Sequence, residues 1–244
     1  MSIPRSFGDF LSTLVLYLGI PLLGWGLADF RGFFSVAQSL GYALIVVALG
    51  LAVGWQALHS PGGIRGGRGR DDKRIARQSV TRVTVILLLY VALLFLPFAD
   101  RHSIGTLPRN PVFRWIGVVL FGLGSGIIFW SGVALGKLYS GDVTLQEDQR
   151  LVTDGPYRWV RHPRYAGTVL LAFGLVLTFN WWIGLVANVA FMGIIWFRIR
   201  DGEVLMREAS GSEWQAYCEH TQRLIPFICQ LAGADRLARA DDRY

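Results

Sequence analysis

Charge is scarce in this sequence: 17% of its 244 residues are Asp, Glu, Lys or Arg, against 52% in the hydrophobic set. So little charge, with a mean hydropathy of +0.41, excludes a disordered chain and argues against an ordinary soluble domain. Cysteine is scarcer still. Cys218 and Cys229 are the only two, and neither stands at metal-ligand spacing from a histidine, so free thiols are expected, with no disulfide framework and no metal site. The net charge of +7 does not point to nucleic acid, because the basic residues lie between apolar blocks and form no face of their own. That is the pattern of membrane-helix flanks.

What the sequence has in abundance is long charge-free runs, at 10–28, 32–64, 83–99, 115–136 and 165–197. A helix of about 20 apolar residues crosses a bilayer core of about 30 Å, so the first, third and fourth runs each predict one span. The second holds one span, over about 36–58, followed by loop. The first lacks a small-residue cleavage site after a short apolar core, so it reads as an anchor and not a removed signal peptide. The fifth, 33 residues long, would reach roughly 50 Å as one helix, too long for one straight crossing. Asn180, Trp181 and Trp182 interrupt it midway, which predicts a tight helical hairpin.

The expected fold class is therefore an all-α polytopic transmembrane bundle of about five to six membrane helices with a C-terminal helical hairpin. Three segments are expected: 1–110, N-terminal membrane helices with a basic loop; 111–230, a membrane core that includes the hairpin; and 231–244, a polar tail. Lysines and arginines set the orientation. Arg65, Arg68, Arg70, Lys73, Arg74 and Arg77 follow the second span, and Lys137, Arg150, Arg158, Arg161 and Arg164 follow the fourth; both groups belong inside. With the N-terminus inside, only Arg31, Arg101 and Arg109 fall in outer loops and Arg114 at the outer edge, leaving 20 of the 24 facing the cytoplasm. Both termini are then cytoplasmic, in a bacterial-type inner or plasma membrane.

Some signals read as ordinary. GGIRGGRGR at 62–70 lacks the Gly-Lys-Ser/Thr ending of a nucleotide loop and suits a flexible basic loop near anionic lipid. Gly122, Gly124 and Gly126 are not preceded by a strand, so close helix packing through small residues explains them better than a dinucleotide site. His59 and His102 are isolated at span ends.

Two stretches bracketing the hairpin carry the candidate chemistry. The first, GPYRWVRHPRYAG at 155–167, combines two prolines and two end glycines with three arginines, a histidine and two tyrosines. A positive-inside flank needs only lysines and arginines, whereas His162 held between Arg161 and Pro163 suggests a specific geometry. The second, RIRDGEVLMREASGSEWQAYCEHTQRLIP at 198–226, gathers Arg198, Arg200, Asp201 and Glu203 where the last helix leaves the membrane. Ionisable groups placed there mark a site candidate.

Together these stretches resemble the isoprenylcysteine carboxyl methyltransferase and phospholipid methyltransferase superfamily of integral membrane enzymes. The Gly-Pro-Tyr-Arg-x-x-Arg-His-Pro-x-Tyr-x-Gly string matches at every fixed position, and the resemblance covers about 115–226. It implies a pocket for S-adenosyl-L-methionine, open to the cytosol for cofactor and sideways to lipid for a lipidic or small amphipathic substrate. Carried over residue by residue, Tyr157, Arg161, His162, Pro163, Tyr165 and Gly167 would line the cofactor site. The superfamily's Arg-x-x-x-Glu-Glu falls on Arg198, Gly202 and Glu203. The first glutamate is thus absent, with Asp201 one residue earlier. Arg198 would hold an anionic acceptor by a bidentate contact, and Glu203 would balance cofactor or arginine charge; these two are the candidate catalytic residues.

Two other readings stand beside this one. The tail SEWQAYCEHTQRLIP also resembles the end of sterol reductases that use NADPH, although the Gly-Pro-Tyr-Arg opening is foreign to them. A non-catalytic membrane scaffold that kept the fold is the third reading.

Overall fold

The computed structural model describes residues 5–59, 76–106, 110–136 and 151–224. The GGIRGGRGR loop, Lys137, Arg109, Arg150, Cys229 and the polar tail lie outside them. Among the described residues the chain forms eight α-helices and no strand: α1 Arg5–Leu14, α2 Ile20–Trp25, α3 Phe30–Ser35, α4 Ala37–His59, α5 Ala76–Arg101, α6 Pro111–Leu135, α7 Pro163–Thr178 and α8 Trp182–His220. Five helical stretches are long and apolar enough to cross a membrane, and α7 is a shorter apolar helix. The protein is thus an all-α membrane bundle, as its charge-free runs predict.

The first span is one continuous rod, Ser6–Trp25, in which a π-helical turn, Val15–Gly19, joins α1 to α2. Pro21 accounts for a distinctive contact just after this turn. A proline inside a helix leaves the carbonyl four residues earlier without its donor. That carbonyl belongs to Tyr17, and the buried hydroxyl of Tyr42 on α4 donates to it. Tyr42 also packs between Phe121 and Phe179, with ring centroids 4.7 and 5.5 Å away. One aromatic side chain thereby ties α4 to the first span, to α6 and to the hairpin turn, at the centre of a core that includes Phe33, Val46, Leu93, Leu96, Leu171 and Leu175.

The expected hairpin is present. Helix α7 ends in a Schellman arrangement, Asn180 N donating to Leu177 O and Trp181 N to Val176 O, both at 3.1 Å. Asn180 adopts the left-handed conformation, φ 57°, that this cap requires. The turn is fastened from outside by Arg114 of α6. Its Nε donates to Thr178 O at 3.0 Å, a cation at the negative end of α7, while Nη2 pairs with buried Asp100 of α5 at 2.7 Å.

Helices α6 and α7 run antiparallel in close contact through glycines seven residues apart on each. A Cβ at Gly117 would stand 2.3 Å from Thr178 N, and one at Gly124 would stand 2.5 Å from Leu171 N; from the other side, Gly174 meets Phe121 N at 2.3 Å and Gly167 meets Gly124 O at 2.8 Å. This corrects the sequence expectation in part. Gly124 does serve close packing, but its partner on α6 is Gly117. A Cβ at Gly122 would meet Ile45 at 3.1 Å, and one at Gly126 would meet nothing within 4 Å.

Helix α8 is 39 residues long, about 58 Å at helical rise, far more than a bilayer core needs. Its apolar part, 182–197, forms the second hairpin arm, and the remainder continues as a charged extension. Gly211, at φ 44°, kinks that extension and turns its last part back toward the start of α7.

Candidate active site

The two sequence motifs are far apart in the chain and meet in the fold through a short stretch of parallel backbone pairing. Gln222 N donates to Trp159 O, Arg161 N to Gln222 O and His162 N to Arg223 O, at 3.1, 2.7 and 3.1 Å. Above this seam the hydroxyl of Tyr217, on α8, donates to Tyr157 O at 2.6 Å. The opening Gly-Pro-Tyr-Arg forms a 3₁₀ turn, Gly155–Arg158. Gly155 sits at φ 59°, where its hydrogen faces Ala134 and Trp130 of α6, so glycine serves both the backbone angle and the close approach.

His162 is the residue before α7. Pro163 occupies the first helical position, where a missing N–H costs nothing, and it disfavours helical geometry at the residue before it. His162 accordingly stands at φ −125° and makes no side-chain cap to the helix. Its ring reaches Glu203 instead, Nε2 lying 3.2 Å from Oε1. This is the physical content of the Arg-His-Pro string: the proline starts the helix and frees the histidine to turn toward α8.

Glu203 is the hub of the site. Its Oε1 accepts from Arg161 Nε at 3.3 Å and Arg223 Nε at 3.0 Å, besides His162, and Arg223 Nη2 lies 2.7 Å from Oε2. Burial pushes the Glu203 carboxyl up, but hydrogen bonds from His162 and Arg223 and the positive charge beside it outweigh that and hold it at about 2. Burial also pushes the His162 imidazole below its ordinary value, and the neighbouring carboxylate restores only part of the loss. Glu203 is therefore ionised and His162 neutral at neutral pH.

Arg161 is only 5% exposed. Besides Glu203 it donates to Cys218 O at 3.2 Å and to Thr221 O, two carbonyls at the C-terminal end of α8, where a cation is favoured. Arg161 is thus the pin between the two motifs. Arg198, 6% exposed, stands apart from this hub. Its Nη1 donates to Thr81 Oγ1 of α5 at 3.1 Å, and its guanidinium lies over the Tyr165 ring, 5.9 Å from the centroid. The Tyr165 ring is in turn 5.9 Å from that of His162.

Of the residues expected at the site, Tyr157, Arg161, His162, Tyr165, Arg198 and Glu203 are thus brought together, and Pro163 fixes the backbone between them. Gly167 is turned elsewhere, into the contact with Gly124 and Ile128 of α6. The expected cluster of Arg198, Arg200, Asp201 and Glu203 divides along the helix: Arg198 and Glu203 are buried, whereas Arg200 is exposed.

Three participants were not singled out from sequence. Arg223 lay within the quoted second motif and was legible as one more basic residue there. Gln222 contributes the seam, and its buried side-chain Oε1 finds no hydrogen-bond donor among the described residues. Thr81 carries no local signal at all.

Residues 112–209 match the family model for phospholipid methyltransferase. Among curated proteins, the chain is 31% identical over 121 residues to a probable protein-S-isoprenylcysteine O-methyltransferase of Oryza sativa subsp. indica, covering 47% of this chain and 61% of that protein. It is 25% identical over 104 residues to the uncharacterized protein YpbQ of Bacillus subtilis (strain 168), covering 42% and 62%. The chain therefore spans about three fifths of the length of these relatives. Among solved structures it resembles a eukaryotic intramembrane Ras methyltransferase, isoprenylcysteine carboxyl methyltransferase, with a TM-score of 0.49 and 17% identity over 90% of this chain and 98% of that one, a likeness too loose to carry weight. The hairpin, the Arg-His-Pro motif and Glu203 all fall inside 112–209, the region that is similar to the phospholipid methyltransferase family.

Proposed function

We propose that this protein is an S-adenosylmethionine-dependent methyltransferase of the membrane, transferring a methyl group to a lipidic or small amphipathic acceptor. The observation that carries the reading is the union of the two motifs around Glu203, where a buried carboxylate organises Arg161, His162 and Arg223 at the foot of an apolar hairpin.

The residues present suit such a cofactor. Arg161 and Arg223 present two guanidinium groups at the hub and Arg198 lies nearby, and guanidinium forks match the geometry of a carboxylate ligand. Gln222 Oε1, a buried acceptor without a described donor, complements an ammonium or amino group. A zwitterionic amino-acid end offers both groups, so Arg161, Arg223 and Gln222 would hold it, with Tyr157, His162, Pro163 and Tyr165 around them. Gly167 would act at one remove, letting α7 approach α6.

S-adenosylmethionine, when bound, supplies a methyl group already activated by its sulfonium centre. The chain's own residues are then left to bind, orient and exclude water. Aligning two bound reactants is worth roughly 7–11 kcal/mol of barrier, and the apolar hairpin offers the dry surroundings that sharpen such alignment. Arg198 would hold the anionic head of the acceptor, its planar fork matching a carboxylate. Glu203 would act by fixing its three partners in place. A carboxylate acceptor arrives deprotonated and needs no general base. Isoprenylated cysteine, the substrate named for the rice relative, is one acceptor of this chemistry.

The test is a titration of the purified protein in lipid nanodiscs with S-adenosylhomocysteine and, separately, NADPH. S-adenosylhomocysteine is expected to bind, and His162→Ala and Arg161→Ala are each expected to weaken it about tenfold or more, the cost of leaving a buried polar partner unsatisfied. Binding of NADPH alone, or unchanged S-adenosylhomocysteine affinity in both folded variants, would overturn the assignment.

A further inference from the structure

The opening turn of the first motif faces two ways. Inward, the Trp159 carbonyl accepts from Gln222 N in the backbone seam. Outward, the Trp159 ring is 43% exposed and stands edge-to-face with Trp130 of α6, itself 44% exposed, the ring centroids 5.6 Å apart. Trp130 continues a row of exposed α6 side chains, Ile116, Val119 and Leu123, that faces away from the bundle. The guanidinium of Arg158 lies over the Trp159 ring, 5.2 Å from its centroid. Arg158 is exposed, and among the described residues it forms no ion pair, not even with Asp154, exposed at the head of the same turn.

Helix register sets the depth of this cluster. Helices α4 and α6 run parallel, a Cβ at Gly41 meeting Trp115 and one at Gly122 meeting Ile45. From that second contact, Trp55 lies about 15 Å further along α4 and Trp130 about 12 Å further along α6. Trp55, exposed and stacked on His59, therefore stands at nearly the level of the Trp130–Trp159 pair. Tryptophans exposed at one level, near the ends of two long apolar helices, mark the headgroup layer of a bilayer. A cation fastened in that layer meets lipid phosphate.

We propose that Arg158, Trp159 and Trp130 form a binding site for the phosphate headgroup of an anionic phospholipid, separate from the Glu203 hub. The guanidinium takes the phosphate through charge-assisted hydrogen bonds, and the two indoles cover the glycerol and upper acyl region with their apolar rings. A zwitterionic lipid suits the site less well, because its ammonium group would share the site with the like charge of Arg158. The inference does not rest on methyl transfer. It gives the exposed face of the motif a role of its own and fixes the Trp159 end of the seam to the membrane surface.

Native mass spectrometry of the full-length protein in detergent, titrated with phosphatidylglycerol or with phosphatidylcholine of the same chains, reads the affinity for the first lipid bound. Phosphatidylglycerol should bind about fivefold more tightly, the range of one basic residue at an anionic surface. Arg158→Gln should abolish the preference, and Arg158→Lys should keep most of it. Trp130→Leu and Trp159→Leu should each weaken phosphatidylglycerol about threefold, the range of a lost aromatic contact. Arg200→Gln, which removes another exposed arginine, should leave the preference intact. Equal affinity of the wild type for the two lipids overturns the proposal, as does a preference that survives Arg158→Gln or falls equally in Arg200→Gln. Unchanged affinity in both tryptophan variants would reduce the site to a lone surface charge and overturn it as well.

Discussion

Arg223 and Glu203 form a two-point ion pair, Nε to Oε1 at 3.0 Å and Nη2 to Oε2 at 2.7 Å, which closes the chain's last described residues onto the long helix α8. The same guanidinium lies over the Trp196 ring, 5.1 Å from its centroid. Through this pair the second motif folds back on itself, and its final residues are then in place to pair with the Arg-His-Pro stretch.

Arg223→Lys keeps the charge and loses the fork, so it should lower the thermal midpoint and weaken S-adenosylhomocysteine, by about 1–3 kcal/mol at most. Glu203→Gln should do both more strongly, because it strips the charge partner from Arg161 and Arg223 together. Arg198→Lys, away from the hub, should raise the Michaelis constant for the acceptor and leave cofactor affinity nearly unchanged. Matched losses in stability and cofactor affinity across all three variants, measured by thermal melts and titration, would refute this division of labour.

Acid should destabilise the site in two steps. His162 has a lowered folded pKa, so the unfolded chain takes up its proton first as the pH falls below the ordinary histidine value of 6.5, and stability declines through that range. Glu203 is held at about 2 against an ordinary 4.5, so its contribution is complete above 4.5 and is lost as the pH falls toward 2. Thermal midpoints measured from pH 7.5 to 5 should therefore fall, and His162→Asn, which cannot titrate, should flatten that slope. Parallel slopes for the two proteins would show that His162 is not the group responsible.

The glycines of α6 should differ sharply in tolerance. Gly124→Ala would bring a Cβ to 2.5 Å from Leu171 N and 2.6 Å from Gly167 O, both backbone atoms that cannot swing aside. The helices must then separate, at a cost of about 1–3 kcal/mol or more. Gly126→Ala meets nothing within 4 Å and should be neutral or slightly stabilising through helix propensity. Folded yield and thermal midpoint of the two variants provide the comparison, and equal behaviour would contradict the packing described.

The charge distribution predicts that both termini and the basic loop 65–77 face the cytoplasm. In a background with Cys218→Ser and Cys229→Ser, a cysteine introduced at Gly67 should resist a membrane-impermeant maleimide in intact cells and react after permeabilisation. Labelling from outside would invert the topology.

Much of the architecture was legible in the sequence because a bilayer makes simple demands. Every crossing must be apolar for about 20 residues, so the spans could be read from charge-free runs alone. The hairpin followed from length, since the run 165–197 is too long for one crossing and Asn180 offers the left-handed turn. The Arg-His-Pro string announced a special backbone because proline constrains itself and the residue before it. Other features depend on partners distant in the chain. Which glycines of α6 meet α7 is set by helix rotation and register, so Gly117 could not be told from Gly126 in advance. That Glu203 engages Arg161 and Arg223 rather than Arg198, five residues away on the same helix, depends on the kink at Gly211 and the backbone seam at Gln222. Arg198 finds Thr81 only because α5 packs beside α8, a relationship between spans that hydropathy does not encode. Sequence alone determined which segments are long and apolar enough to cross a membrane and where the ionisable residues gather; the tertiary structure decided which charged groups face one another, because local pattern constrains a segment's conformation but not its neighbours.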